Sequence, residues 1–100
     1  MNRCKKKEYR VWRTAVIARD KTCVVCGKGP KYNNTHHLIP HEFQDYEYEI
    51  DNGITLCPRH HALGKFSAHK NPIWFIKFLS KKFPELYWIA IDRLGGIDEV

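Results

Sequence analysis

A chain of 100 residues has room for one core and therefore one domain, read here as residues 1–100. Its apolar fraction of 43% excludes a disordered chain, and its longest apolar stretch, PIWFIKFL, is broken by Lys77 and too short to span a bilayer. The net charge of +6 is carried entirely by residues 1–19, while residues 20–100 balance to zero. No apolar run follows the basic start MNRCKKKEYR, so no signal peptide is expected, and the reading is of a soluble, intracellular protein.

In chain order, residues 1–19 read as a basic arm running into a helix. Arg3, Lys5, Lys6, Lys7, Arg10, Arg13 and Arg19 stand against one acid, Glu8. Such charge suits phosphate tracking on nucleic acid, and it equally suits a solubilising tail. Over residues 8–19, Trp12, Ala15, Val16 and Arg19 fall at i, i+3, i+4 and i+7, which predicts a helix with Trp12 in the core. DKTCVVCGKGP has turn formers at both ends and predicts a tight knuckle. THHLI and GITLC read as β-prone. Between them YEYEID alternates strictly, which predicts Tyr46, Tyr48 and Ile50 inward and Glu47, Glu49 and Asp51 outward. After GITLC, Pro58 can open a helix that continues RHHALGKF. Asn71-Pro72 is an N-cap and N1 pair for a helix PIWFIKFLSKKF, and Phe83-Pro84 breaks it and starts a last helix, PELYWIAIDRL, ending at Gly95-Gly96. The aromatics Trp74, Phe75, Phe78, Phe83, Tyr87 and Trp88 of this end read as packing.

Four cysteines allow a sharper statement. Cys23 and Cys26 form C-x-x-C, and Cys57-Pro-Arg-His60 is C-x-x-H of the same spacing. Two such knuckles in one chain make a tetrahedral Cys3His site, so Cys23, Cys26, Cys57 and His60 are expected to hold a structural zinc ion. A disulfide set does not suit three cysteines in an intracellular chain, and a redox C-x-x-C leaves Cys57 and His60 unexplained. Cys4 reads as a free thiol.

Three further histidines crowd the same region: His36 and His37 in HHLIP, and His61. The order AVIARD, C-x-x-C-G, HHLIP, NGITLC-x-x-HH over about residues 12–61 resembles the HNH endonuclease family, and most nearly the small HNH proteins of bacteriophages and mobile elements. The resemblance implies an α+β fold: a zinc-stapled ββα-metal core over residues 20–70, preceded by the N-terminal arm and helix and followed by C-terminal helices over 71–96. It implies that His36 and His61 bind a catalytic divalent ion (magnesium, manganese, nickel, cobalt or zinc), that His37 is the general base, and that Asn52 braces the loop between the strands. His60 falls where most zinc-bearing members have a fourth cysteine, which leaves open which of His60 and His61 serves which metal. Some members carry a further metal-binding histidine four residues after the last motif histidine, and here that position is Lys65. His69, eight residues after His61, is not expected on the adjacent turn, and His41 reads as exposed.

The expected function is a metal-dependent DNA endonuclease hydrolysing phosphodiester bonds, probing DNA mainly through its phosphates with Lys5, Lys6, Lys7, Arg10, Arg13 and Lys65. The five acids of residues 42–51 are expected to point away from DNA. The expected setting is the cytoplasm of a bacterial or phage-infected cell, as a monomer or weak dimer. The alternatives are a non-catalytic zinc-stabilised DNA-binding module, and an accessory subunit of a phage DNA-processing machine that binds a protein through the C-terminal helices. Only the nuclease reading gives His36, His37 and His61 a task.

Overall fold

The structure is a computed structural model that describes residues 6–29, 31–40 and 44–94, with no side-chain description for Lys6 and Gln44. It is a small α+β arrangement of a two-stranded antiparallel sheet and helices. Helix α1 spans Lys6–Asp20, strand β1 Asn34–His37, strand β2 Gly53–Leu56, helix α2 Pro72–Lys82 and helix α3 Pro84–Arg93. None of the described helices is long and apolar enough to cross a membrane.

The sheet is narrow, and its register is Asn34 to Leu56, Thr35 to Thr55, His36 to Ile54 and His37 to Gly53. All four residues of β2 are buried, because a helix covers each face. On one side Gly53 meets α1 so closely that a Cβ there would lie 2.7 Å from Trp12 Cζ2 and 2.8 Å from Val16 Cγ2. On the other, Ile54 and Leu56 join Cys23, Cys57, Ala68, Phe75 and Leu79 in the main apolar cluster. The outer edge of β2 is not left open: Thr55 N donates to Asp20 Oδ2 at 2.9 Å, and Val24 N donates to Thr55 O at 3.1 Å. Strand β1 is the exposed edge.

Trp12 is buried, as its spacing predicts, and α1 begins at Lys6, two residues earlier than the apolar pattern suggests. Lys6 and Lys7 therefore belong to the helix and not to an arm, joining Arg10 and Arg13, which the pattern already places there; Lys5 and Cys4 lie outside the described residues. Asn71 caps α2 as expected, its Oδ1 accepting from Trp74 N at 3.2 Å, and Pro84 opens α3. Trp74, Phe78, Phe83 and Tyr87 pack on the core, but Trp88 is 63% exposed, contrary to its reading as packing.

The segment YEYEID is not a strand. Residues 38–40 and 44–52 fall in the connection between β1 and β2, with short 3-10 turns at Gln44–Tyr46 and Ile50–Asn52. Its alternation is also inverted in part, since Glu47 is buried and Ile50 is half exposed. The physical reason is that side chains take the carbonyls a neighbouring strand would otherwise use. Trp12 Nε1 donates to Glu49 O at 2.8 Å, Arg19 Nη1 to Ile50 O at 2.9 Å and Asn52 Nδ2 to Tyr46 O at 3.0 Å. With the backbone satisfied in this way, alternation has no ladder to serve.

The helix expected after Pro58 also differs. Only one wide turn forms, over Arg59–Leu63, closed by Gly64 N donating to Arg59 O at 2.7 Å, a π-type i to i+5 bond. The chain then folds back: Ala68 N donates to His60 O at 2.9 Å and His69 N to His61 O at 3.0 Å.

Candidate metal centres and an adjoining cavity

The knuckle forms as a tight loop. Gly27 N donates to Cys23 O at 2.8 Å and Cys23 N to Lys28 O at 2.7 Å, with Gly27 at φ +78°, a conformation glycine adopts without strain. This brings Cys23 and Cys26 against Cys57 and His60 from the turn after β2. The donor atoms of all four lie within 4.8 Å of one another. Cys26 Sγ is 3.7 Å from Cys57 Sγ, and His60 Nδ1 is 3.3 Å from Cys57 Sγ and 3.9 Å from Cys23 Sγ. A tetrahedral zinc ion with the usual bond lengths has S···S edges of about 3.8 Å and S···N edges of about 3.6 Å, so the set fits zinc. The 3.7 Å sulfur separation is far beyond a disulfide bond.

Electrostatics agree. Burial raises the Cys23 thiol, but backbone amides at Cys57, Cys26 and Val25 outweigh it and bring its pKa below the ordinary value. Cys26 is raised, by burial first and further by the thiols of Cys23 and Cys57, although the Lys28 amide opposes this. The hindrance that Cys23 and Cys57 place on the Cys26 thiol is relieved by a cation held among the sulfurs. His60 is pushed down by burial, then by Arg59 and Lys28, so it is a neutral donor near pH 7.

A second cluster joins His36, His61 and His69, whose donor nitrogens again lie within 4.8 Å of one another. His61 Nε2 and His69 Nε2 are 3.1 Å apart, and the His36 ring stands edge-on to both, at 5.3 Å from His61 and 5.0 Å from His69. Neighbouring nitrogens about 3.0–3.4 Å apart suit one ion held octahedrally or tetrahedrally at about 2.1 Å. Burial, followed by the nearby His61, His69 and His37, brings the His36 pKa down to about 3. His61 is lowered by burial and by His69. Both rings are therefore neutral near pH 7, with lone pairs to offer.

Two adjacent histidine pairs thus part company, each for a geometric reason. On the wide turn, successive residues point in different directions around the axis, so His60 serves the cysteines and His61 the histidines. On β1, successive side chains take opposite faces. His36 faces α2, meeting Phe75 edge-on at 5.3 Å, while His37 lies flat on Trp12 with ring centroids 4.2 Å apart and planes at 15°. His37 Nε2 is 3.0 Å from Glu47 O. A carbonyl only accepts, so this contact places a proton on Nε2; whenever the ring carries a single proton, Nδ1 is its acceptor nitrogen. Because β1 is an edge strand, one cavity of about 550 Å³ reaches both faces, lined by Tyr9, Thr35, His36, His37, His61 and His69 among others.

Asn52 is 1% exposed and does brace the loop: Ile39 N donates to its Oδ1 at 2.8 Å, and its Nδ2 donates to Tyr46 O at 3.0 Å and Ile39 O at 3.3 Å. Of the basic residues, Lys7 and Arg10 are exposed on α1, Arg13 Nη2 donates to Asn33 O at 3.0 Å, and exposed Lys65 sits 5.9 Å from the Phe66 ring centroid. Lys65 is not in the histidine cluster. His69 is, against the expectation from its spacing, because the chain reverses at residues 64–68 and returns it beside His61. Nothing in the spacing of SAHK signals that return. Tyr9 and Thr35 also line the cavity without a motif to mark them. His41 lies outside the described residues.

Fold and site together define a small α+β protein with a Cys3His cluster able to hold a metal ion such as zinc. No family model matches the chain, and neither the curated proteins nor the solved structures compared with it gave a match.

Proposed function

We propose that the chain is a metal-dependent DNA endonuclease of the HNH type, with a zinc-stapled ββα-metal core. The observation that carries this reading is the shared cavity: His37, fixed by Glu47 O and Trp12, opens on the same space as the His36, His61 and His69 cluster. A lone structural zinc site would explain neither the second cluster nor the fixed imidazole beside it.

His36, His61 and His69 would hold the catalytic divalent ion, which when bound supplies charge stabilisation at the phosphate and leaving oxygen. His37 Nδ1 takes a proton from the attacking water, while its Nε2–H keeps donating to Glu47 O. Trp12, buried and anchored through Nε1 to Glu49 O, keeps the imidazole in one plane. Asn52 holds the loop that presents the Glu47 carbonyl. The Cys3His set holds knuckle and turn together, and so positions His61. Lys7 and Arg10 supply phosphate affinity that weakens with salt.

Supercoiled plasmid, incubated with zinc-loaded protein and added manganese, nickel or magnesium, tests the reading. Wild type is expected to yield nicked product, and His37→Ala to lose about 10²–10⁴-fold in rate while still binding DNA. Wild type that binds DNA yet cleaves with none of these ions would favour the non-catalytic module. Equal cleavage by His37→Ala would remove His37 as the base.

A further inference from the structure

Tyr32 is 74% exposed and adopts φ +70°, a region that bulky residues rarely enter. A single exposed aromatic is ordinary, but one whose backbone is strained to hold it there is not. Lys21, with φ +67°, offers the contrast. It closes α1, with Lys21 N donating to Ile17 O at 2.7 Å, and helix ends commonly take this conformation. Tyr32 closes no helix, and glycine or asparagine would fit its turn at lower cost.

The turn is held from below. Asn33, 2% exposed, donates from Nδ2 to Lys28 O at 3.0 Å, and Arg13 Nη2 donates to Asn33 O at 3.0 Å. The ring therefore stands outward on a fixed base, with Lys31 Nζ 5.2 Å from its centroid. Strand β1 begins two residues later and leads to His36. Even fully extended, the four residues from Tyr32 to His36 would span no more than roughly 13 Å, so the two lie within about four nucleotide steps of a DNA strand.

From this placement we propose that Tyr32 is a base-stacking residue: its ring packs on an unpaired base of the DNA strand, a few nucleotides from the bond presented to His37, with Lys31 at the adjoining phosphate. The proposal rests on the endonuclease reading and adds to it a preference for locally unpaired DNA. An exposed aromatic face beside a cation is the arrangement that stacks bases without reading their sequence.

The test is fluorescence anisotropy with a labelled oligothymidine 12-mer and the same oligomer made abasic. Zinc-loaded protein is used with no other divalent ion added, and the oligomers are checked intact on a gel. Three proteins are compared: wild type, Tyr32→Phe and Tyr32→Gly. Tyr32→Gly is expected to bind oligothymidine about tenfold more weakly, to bind the abasic oligomer as wild type does, and to melt no lower than wild type because the strain is lifted. Tyr32→Phe keeps the ring and is expected to bind as wild type. If Tyr32→Gly binds oligothymidine as tightly as wild type, or weakens equally on both oligomers, the stacking role is overturned while DNA binding by the chain stands. If wild type binds neither these oligomers nor duplex DNA, the endonuclease reading falls with it.

Discussion

His61 Nε2 and His69 Nε2 stand 3.1 Å apart, although eight residues separate them in the chain. The two backbones are paired as well, through His69 N and His61 O at 3.0 Å, so the approach is built into the chain path and does not depend on a rotamer alone. This makes His69 the third member of a cluster that sequence spacing limits to His36 and His61.

Replacing His69 should therefore weaken one metal site and spare the other. His69→Ala is expected to lower affinity at the histidine cluster by more than about tenfold, since even residues that only orient a ligand are worth 10–100-fold. Cobalt titration separates the sites, because the sulfur-to-cobalt absorption of the Cys3His set should be unchanged. Loss of that absorption in His69→Ala would mean that the two clusters are not independent.

Removal of metal from the Cys3His set should cost the fold itself. Structural zinc contributes about 10–16 kcal/mol to folding in small zinc domains, comparable with the whole stability of an ordinary domain at about 5–15 kcal/mol. Cys57→Ser, or a strong chelator on wild type, is expected to abolish the cooperative melt followed by far-UV circular dichroism. His61→Ala should keep it, because His61 belongs to the other cluster.

Asn52→Ala removes a side chain that satisfies Ile39 N, Ile39 O and Tyr46 O inside a buried loop. Leaving such groups without partners is expected to cost about 2–4 kcal/mol, read from urea unfolding. The same substitution should loosen the loop that carries Glu47 O, and with it the orientation of His37. A cost under about 0.5 kcal/mol would show that water replaces the amide freely.

Gly53→Val tests the approach of α1 to β2. The new Cβ would sit 2.7 Å from Trp12 Cζ2 and 2.8 Å from Val16 Cγ2, both in the core. Overpacking of this kind is expected to cost about 1–3 kcal/mol, read as a lower urea midpoint. Since Trp12 is the residue stacked on His37, the near-UV signal of the tryptophan should change too.

The sequence by itself determined the features that act over short spans. The knuckle spacing brings Cys23 to Cys26 and Cys57 to His60 within a single turn, and the apolar period of α1 buries Trp12 and Val16. Asn71-Pro72 and Pro84 set the starts of α2 and α3. In each case the deciding forces, turn geometry, helical period and missing backbone donors, lie within a few residues. Tertiary structure decided what depends on partners far along the chain. Alternation in YEYEID predicts a strand, but donors from Trp12, Arg19 and Asn52 claim its carbonyls and hold it as a loop. RHHALGKF reads as a helix, but the i to i+5 bond at Gly64 ends it after one turn, and the reversal that follows brings His69 to His61. The adjacent histidines His36 and His37 meet one cavity because, among the described residues, no second strand pairs with β1 on its outer side, a property of sheet order that no local pattern encodes.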